Sequence, residues 1–372
     1  MPYIWIAFVA FFLTACASEN SAQERNATNF SEKTSTVQNL TTFDKTTMLQ
    51  NILDNVLLAD VSLLKSETEA LSISIKNLQN TPTNIALSEA QNAWKVTMET
   101  WKRVQANYVE DEIFLSNGID EIRNLLDLSD FVNPSKKKPS FYAGELLNSG
   151  DDVASMRLSA RERTYLVLES LLFDVSDETD YKDNSRRAEL AVKISELLLD
   201  AVIELESYWQ NDERFISNID GESMDNILNK MIDNVYKSRE TRLGDPAGLT
   251  QASGAVVDPL LVESLPSQTS KEHIINRILG LEKLYLGGEG LGFDDYLISK
   301  GLIKENNALK IQITDSIRAL SAISGSLKSA ITEDPEAVKV AFDSLGELLT
   351  AVQITLPAAI DLVPKIVEAD GD

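Results

Sequence analysis

The sequence holds one cysteine, Cys16, and one histidine, His273, in 372 residues. A single thiol excludes an internal disulfide framework. A single imidazole excludes a tetrahedral zinc site built from histidines, and it leaves any serine nucleophile only His273 as a base of that kind. Basic residues are scarce: 34 Lys and Arg stand against 58 Asp and Glu, for a net charge of −24. Such a surface repels phosphate backbones and anionic lipid headgroups, so nucleic acid is excluded as a partner. It also concentrates cations, which is compatible with metal handling without pointing to it. No stretch reaches the roughly twenty apolar residues of a membrane-spanning helix. HExxH, Gly-x-Ser-x-Gly, phosphate-loop and dinucleotide fingerprints are all missing. Strand-type alternation is rare.

What is present starts at Pro2–Leu13, an almost wholly apolar run with Ile4, Trp5, Ile6, Phe8, Val9, Phe11 and Phe12. Its length suits the core of a signal peptide. The run closes on Leu13-Thr14-Ala15-Cys16, which resembles the bacterial lipoprotein cleavage box, although no Lys or Arg precedes it. Residues 1–15 are therefore expected to be a lipoprotein signal peptide and Cys16 the lipidated residue. Residues 16–42 are rich in Ser, Thr and Asn, with too little apolar surface to offset backbone ordering, and read as a tether. Ala17 follows the cysteine where lipoproteins held at the inner membrane commonly carry Asp, so the outer membrane is the expected destination. The chain would face the periplasm, with the lipid as its only contact with the membrane.

The remainder reads as all-α, in two packed up-and-down bundles, 43–212 and 213–372, divided near Gln210–Asn218. Leu57, Leu64, Leu71 and Leu78 fall every seventh residue, with Val61 and Ile75 four after two of them, a stripe suited to a long helix packing nearly parallel to its neighbours. A second helix is expected over Ile85–Tyr108, with Trp94, Trp101 and Tyr108 again at heptad spacing, and this stripe reads as core. Ala160–Phe173 and Arg186–Trp209 complete the first bundle; the latter repeats an i, i+4, i+7, i+8 ladder from Leu190 to Tyr208. Glu222–Leu243, Lys271–Leu286, Ala308–Ile331 and Pro335–Val352 make the second. The last has Asp334 as its N-cap and Pro335 at the first helical position. Leu126–Asp152, with Pro134, Lys136-Lys137-Lys138-Pro139 and Gly150, reads as an irregular loop. Asn117-Gly118 and Asp220-Gly221 have hairpin-turn chemistry but are flanked by helical pattern.

Arg163-Thr164-Tyr165-Leu166-Val167-Leu168-Glu169-Ser170-Leu171-Leu172-Phe173 resembles the central helix of imelysin-like proteins, whose pattern is Gly-x-His-x-x-Glu followed by an apolar stretch. Other segments agree in order: the Trp94/Trp101/Tyr108 helix upstream, then Glu206–Trp209, Lys237–Pro246, Val262-Glu263-Ser264, Ile278–Gly287 and Gly290-Leu291-Gly292. The chain departs from the pattern at its chemistry. Thr164 stands at the glycine position and Leu166 at the histidine position, and only Glu169 is retained. His and Glu three apart share a helix face, which is why such a pair can ligate a metal or share a proton. Leucine can do neither.

The resemblance implies a bilobed helical fold with its site between the lobes near this motif. It also implies an envelope role in iron or other metal uptake, with an outer-membrane receptor or transporter as partner. Glu169 is the first candidate ligand for a metal, and an all-oxygen site for a divalent or ferric cation remains chemically open. Glu110 and Asp111, in the run Glu110-Asp111-Glu112 at the end of the second helix, oppose the helix dipole and are further candidates. Asp151-Asp152, Asp177–Asp180 and Asp294-Asp295 read as exposed acids. His273, far along the chain, reads as a surface or helix-start residue. Three functions follow in order: a non-enzymatic binding or accessory protein in metal uptake, a helical interaction scaffold with a vestigial site, and, last, a metal-dependent peptidase. The first expects carboxylates converging on Glu169; the second expects an apolar interface there.

Overall fold

Heptad leucines build the longest stretch of helix at the N-terminal end of the folded unit. In a computed structural model of the chain, Asp44 caps helix α1 (Lys45–Ile52) by accepting from the Thr47 amide. A π-helical segment, Leu53–Leu58, leads without a break into α2 (Ala59–Asn80). The described residues are 43–107, 138–210 and 222–362. All belong to one compact unit, 43–372. Cys16, the tether, Tyr108, Glu110, Asp111, both hairpin-turn dipeptides and the 212/213 boundary lie outside the described residues.

Helix α3 (Asn84–Asn107) packs along α2, burying Trp94 and Trp101 of the expected stripe together with Met98. Next comes α4 (Pro139–Asn148), inside the segment expected to be irregular. Proline at its first position costs no hydrogen bond there, and Ala143 and Leu146 supply a buried face. Helix α5 (Tyr165–Phe173) begins five residues later than the pattern suggested, because the Thr164 hydroxyl accepts from the Val167 amide and sets the N-cap. Every residue from Tyr165 to Leu172 is buried. A short helix so enclosed must satisfy its last carbonyls: that of Leu171 accepts from Tyr181 and Arg187, that of Leu172 from Gln91. Helix α6 (Ser185–Gln210) then packs on α2 and α5.

The second half opens with α7 (Glu222–Lys237), which runs into a π-helical segment, Ser238–Gly244. Gly244 closes that segment where a Cβ would lie 2.5 Å from Thr250 and 2.6 Å from Phe342. Helix α8 (Ser270–Leu286) ends on Gly287, whose φ of 65° is the left-handed C-cap conformation. Short α9 (Phe293–Ser299) precedes α10 (Ile303–Ala322) and α11 (Leu327–Glu333). The sequence pattern joined α10 to α11. The chain breaks between them at Gly325, φ 66°, and Ser326 caps α11. Asp334 caps α12 (Pro335–Thr350) as expected, and a further π-helical segment, Ala351–Thr355, leads to α13 (Leu356–Ile360). No strand occurs among the described residues, and no helix of theirs is long and apolar enough to cross a membrane.

Helices of the two sequence halves lie directly against each other. Helix α8 packs along α3, with the Gly280 α-carbon seated on the Arg103 backbone and the Gly280 carbonyl accepting from Asn107. Asn51 of α1 donates to the carbonyls of Gly287 and Leu291, and Lys283 of α8 reaches Asp60 of α2 at 2.6 Å. These contacts place α5, α3 and the start of α8 around one buried polar centre.

Candidate functional site

Glu169 sits mid-way along α5, 1% exposed. Its Oε1 accepts from the Ser267 amide at 3.0 Å. Burial dominates its chemistry and pushes the carboxyl up to about 8, against the smaller opposing effect of hydrogen bonds from Ser267 and Ser264. At neutral pH Glu169 is thus largely a neutral acid. The loop that holds it, Ser264–Thr269, also holds His273. Ser264 Oγ lies 3.2 Å from Nδ1, and Thr269 Oγ1 lies 3.0 Å from Nε2. His273 is 1% exposed and its ring lies 6.1 Å from that of Trp94. The expectation of a surface histidine therefore fails, as does that of one remote from α5. It starts a helix as expected, but that helix points into the core. Burial lowers its pKa, with Glu263 opposing, so the imidazole is neutral.

Glu263 faces the other side of this loop. Its Oε1 takes Lys102 Nζ at 2.7 Å and stands 3.6 Å from Arg242 Nε; its Oε2 is 3.4 Å from His273 Nδ1. Burial alone would raise the Glu263 pKa, but Lys102 and Arg242 hold it well below the usual range. Burial likewise brings the Lys102 ammonium down to about 8 against the pull of Glu263. Both partners are ionised at neutral pH. Behind them Arg277 donates to Gln105 Oε1 at 2.8 Å, as does Lys102 at 3.4 Å. Glu169 and Glu263 line one cavity of about 190 Å³ together with Lys138, Ser140, Ser170 and Asp174. A second cavity, of about 370 Å³, lies across the Ser267–Thr269 loop against His273, Lys95 and Glu99.

Residues 58–352 match the family model described as imelysin. The chain belongs to the imelysin family. Among solved structures, an imelysin-like protein from Psychrobacter arcticum superposes with a TM-score of 0.68 at 14% identity, covering 87% of this chain and 97% of that one. A protein named as an iron-regulated protein A precursor, from Parabacteroides distasonis, does so with a TM-score of 0.65 at 15% identity, covering 85% and 94%. No curated protein matches the chain. The expected all-α imelysin fold is thereby established.

Of the motif pattern only Glu169 is retained. Leu166 is fully buried and offers no donor. Glu169 is a protonated acid already bound to a backbone amide, and Glu263 is occupied by two cations. Among the described residues no three His, Cys, Asp or Glu side chains converge on a point where they could hold a metal ion. Nor is the centre apolar, as a purely vestigial site would be. Asp294, expected exposed, is buried and faces Lys310 at 3.4 Å, while its neighbour Asp295 caps the Gly292 amide. Asp151 and Asp152 are exposed as expected.

Sequence reading missed Lys102, Arg242, His273 and Glu263 as a cluster. A signal existed for three of them. Lys102 continues the Trp94–Met98 spacing, Arg242 continues Met231, Val235 and Ser238, and His273 precedes Arg277, Leu281 and Leu284 on one face. Ionisable residues on core stripes are a mark of buried chemistry, because burial of an unpaired charge is too costly to persist otherwise. Glu263, in a loop without periodicity, carried no such mark.

Proposed function

We propose that the protein is a non-enzymatic binding or accessory protein of an iron- or metal-uptake system at the cell envelope. It would be held to the outer membrane by a lipid on Cys16 and would pass its ligand to or from a membrane receptor. The reading is supported chiefly by the cavity that Glu169 and Glu263 share, where one buried carboxyl is kept neutral and the other ionised at the junction of the two sequence halves. The family match and the iron-regulated name of the Parabacteroides relative support the metal connection. Proteolysis finds less support, because the one imidazole is held between Ser264, Thr269 and Trp94 and the α5 histidine position is Leu166.

The test is calorimetric titration of the purified chain in detergent with ferrous iron, ferric citrate, zinc and calcium, each repeated on Glu169→Ala. Saturable binding of any of these that weakens at least tenfold in the variant supports a ligand site at this cavity. Binding of none would turn the reading to an interaction scaffold.

A further inference from the structure

His273, the one imidazole of the chain, belongs to a line of polar groups that ends at the second cavity. Glu263 Oε2 stands 3.4 Å from its Nδ1 and Ser264 Oγ 3.2 Å. On the other edge of the ring, Thr269 Oγ1 lies 3.0 Å from Nε2, and Ser267 Oγ lies a further 2.7 Å from Thr269 Oγ1. The carboxylate sets the tautomer. Glu263 is ionised and its oxygens can only accept, so Nδ1 carries the ring proton. Nε2 then presents a lone pair, and the Thr269 hydroxyl donates to it. An acid, an imidazole and a hydroxyl in that order are the arrangement by which a base draws the proton from a nucleophile.

The hydroxyl end of this line is open. Ser267, Thr269 and His273 line the cavity of about 370 Å³, which falls within the size range of small-molecule sites. Ser267 and Thr269 are half-buried, whereas the imidazole is buried. Gln268, between the two hydroxyls, holds a φ of 60°. That left-handed conformation costs a non-glycine residue energy, and such residues persist where the surrounding structure fixes a functional loop. Helix α8 starts at Ser270 and no side chain caps it. The first amides of this 17-residue helix are therefore at hand beside Thr269 for an oxygen that develops negative charge.

We propose that Thr269, aligned by Glu263 and His273, is an activated hydroxyl that takes one acyl group from a small activated ester in the 370 Å³ cavity, and so is a site of covalent modification. Thr269 Oγ1 passes its proton to Nε2 and bonds to the acyl carbon. The bond from that carbon to the leaving oxygen breaks with its electron pair, and the imidazolium returns the proton to that oxygen. With the ring buried and Nε2 against Thr269 Oγ1, an acyl group on Thr269 shuts water away from the base. The ester therefore persists instead of turning over. This site goes beyond the reading of the Glu169 cavity and is compatible with a non-enzymatic protein.

The full chain in detergent, treated at neutral pH with p-nitrophenyl acetate or with a fluorophosphonate and mapped by peptide mass, should carry one adduct on Thr269. Protein unfolded in urea should carry none there, because its hydroxyl has no base beside it. His273→Gln should slow labelling of Thr269 at least about a hundredfold, the usual contribution of a general base. Should that buried substitution fail to fold, the half-buried position itself decides. Thr269→Ser should still label at position 269, and Thr269→Ala should lose the adduct with its helical circular dichroism intact. Labelling confined to lysines or to Ser267, or equal rates in folded and unfolded protein, would overturn the proposal. An acetyl adduct that decays with continued release of nitrophenolate would overturn the persistent ester.

Discussion

Glu169 and Lys102 share a buried centre and answer pH in opposite ways. In the unfolded chain Glu169 loses its proton near 4.5, whereas in the fold burial holds it until about 8. Between those values the folded state binds more protons than the unfolded one. Stability from this group is therefore complete below 4.5 and declines as pH rises through 8. A buried shift of this size corresponds to a few kcal/mol, on the order of 1.4 kcal/mol per pH unit crossed. Lys102 adds the reverse trend only above pH 8, where the unfolded chain still holds a proton that the fold has released. Glu169→Gln imitates the neutral acid and keeps an acceptor for the Ser267 amide. Thermal unfolding from pH 5 to 8 should show the wild-type melting temperature falling and that of the variant nearly level. Parallel curves would show that Glu169 is ionised in the fold.

At the scale of elements, amphipathic periodicity located the long helices to within a few residues, because their faces are set by burial on one side and water on the other. Where it failed, a local device decided. Thr164 starts α5 late by capping it, Gly325 divides α10 from α11, and Pro139 opens a helix in a segment dense with lysine and proline. The π-helical segments have no compositional signature, so the widened turn over Ser238–Gly244 was not legible. The α3–α8 contact depends on a missing side chain. A Cβ on Gly280 would lie 3.0 Å from the Arg103 backbone, tight enough that the neighbour must give by a few tenths of an ångström. Gly280→Val should force the two helices apart and cost roughly 1–3 kcal/mol by overpacking, read as a lower urea midpoint. Because Lys102 and Asn107 lie on α3 beside this crossing, the variant should also weaken any ligand bound at the cavity. An unchanged midpoint would mean that the helices separate freely.

For the whole molecule, the charge of −24 and the lone cysteine bear on where the protein works. With that charge the folded surface is repelled by anionic lipids, so the membrane residence proposed above would have to come from the proposed lipid on Cys16. Cys16→Ser should move the protein from the membrane pellet to the soluble fraction and abolish incorporation of a labelled fatty acid. Retention of the variant in the pellet would point to a different tether. Fold class and family were legible in the sequence because apolar stripes and motif order are local patterns. The buried charge cluster was not, because it arises where Lys102, Arg242, Glu263 and His273, up to 171 positions apart in the chain, are brought together by packing.

The link from Asn51 to Gly287 and Leu291 also bears on the order of events during synthesis. The helix at the front of the folded unit closes on partners 236 and 240 positions behind it. A chain that emerges N-terminus first leaves the Asn51 amide without these two acceptors until three-quarters of its length has followed. A chain truncated before α8 would lack the partners of Asn51 and is expected to be less stable than the whole protein, read as a lower thermal midpoint.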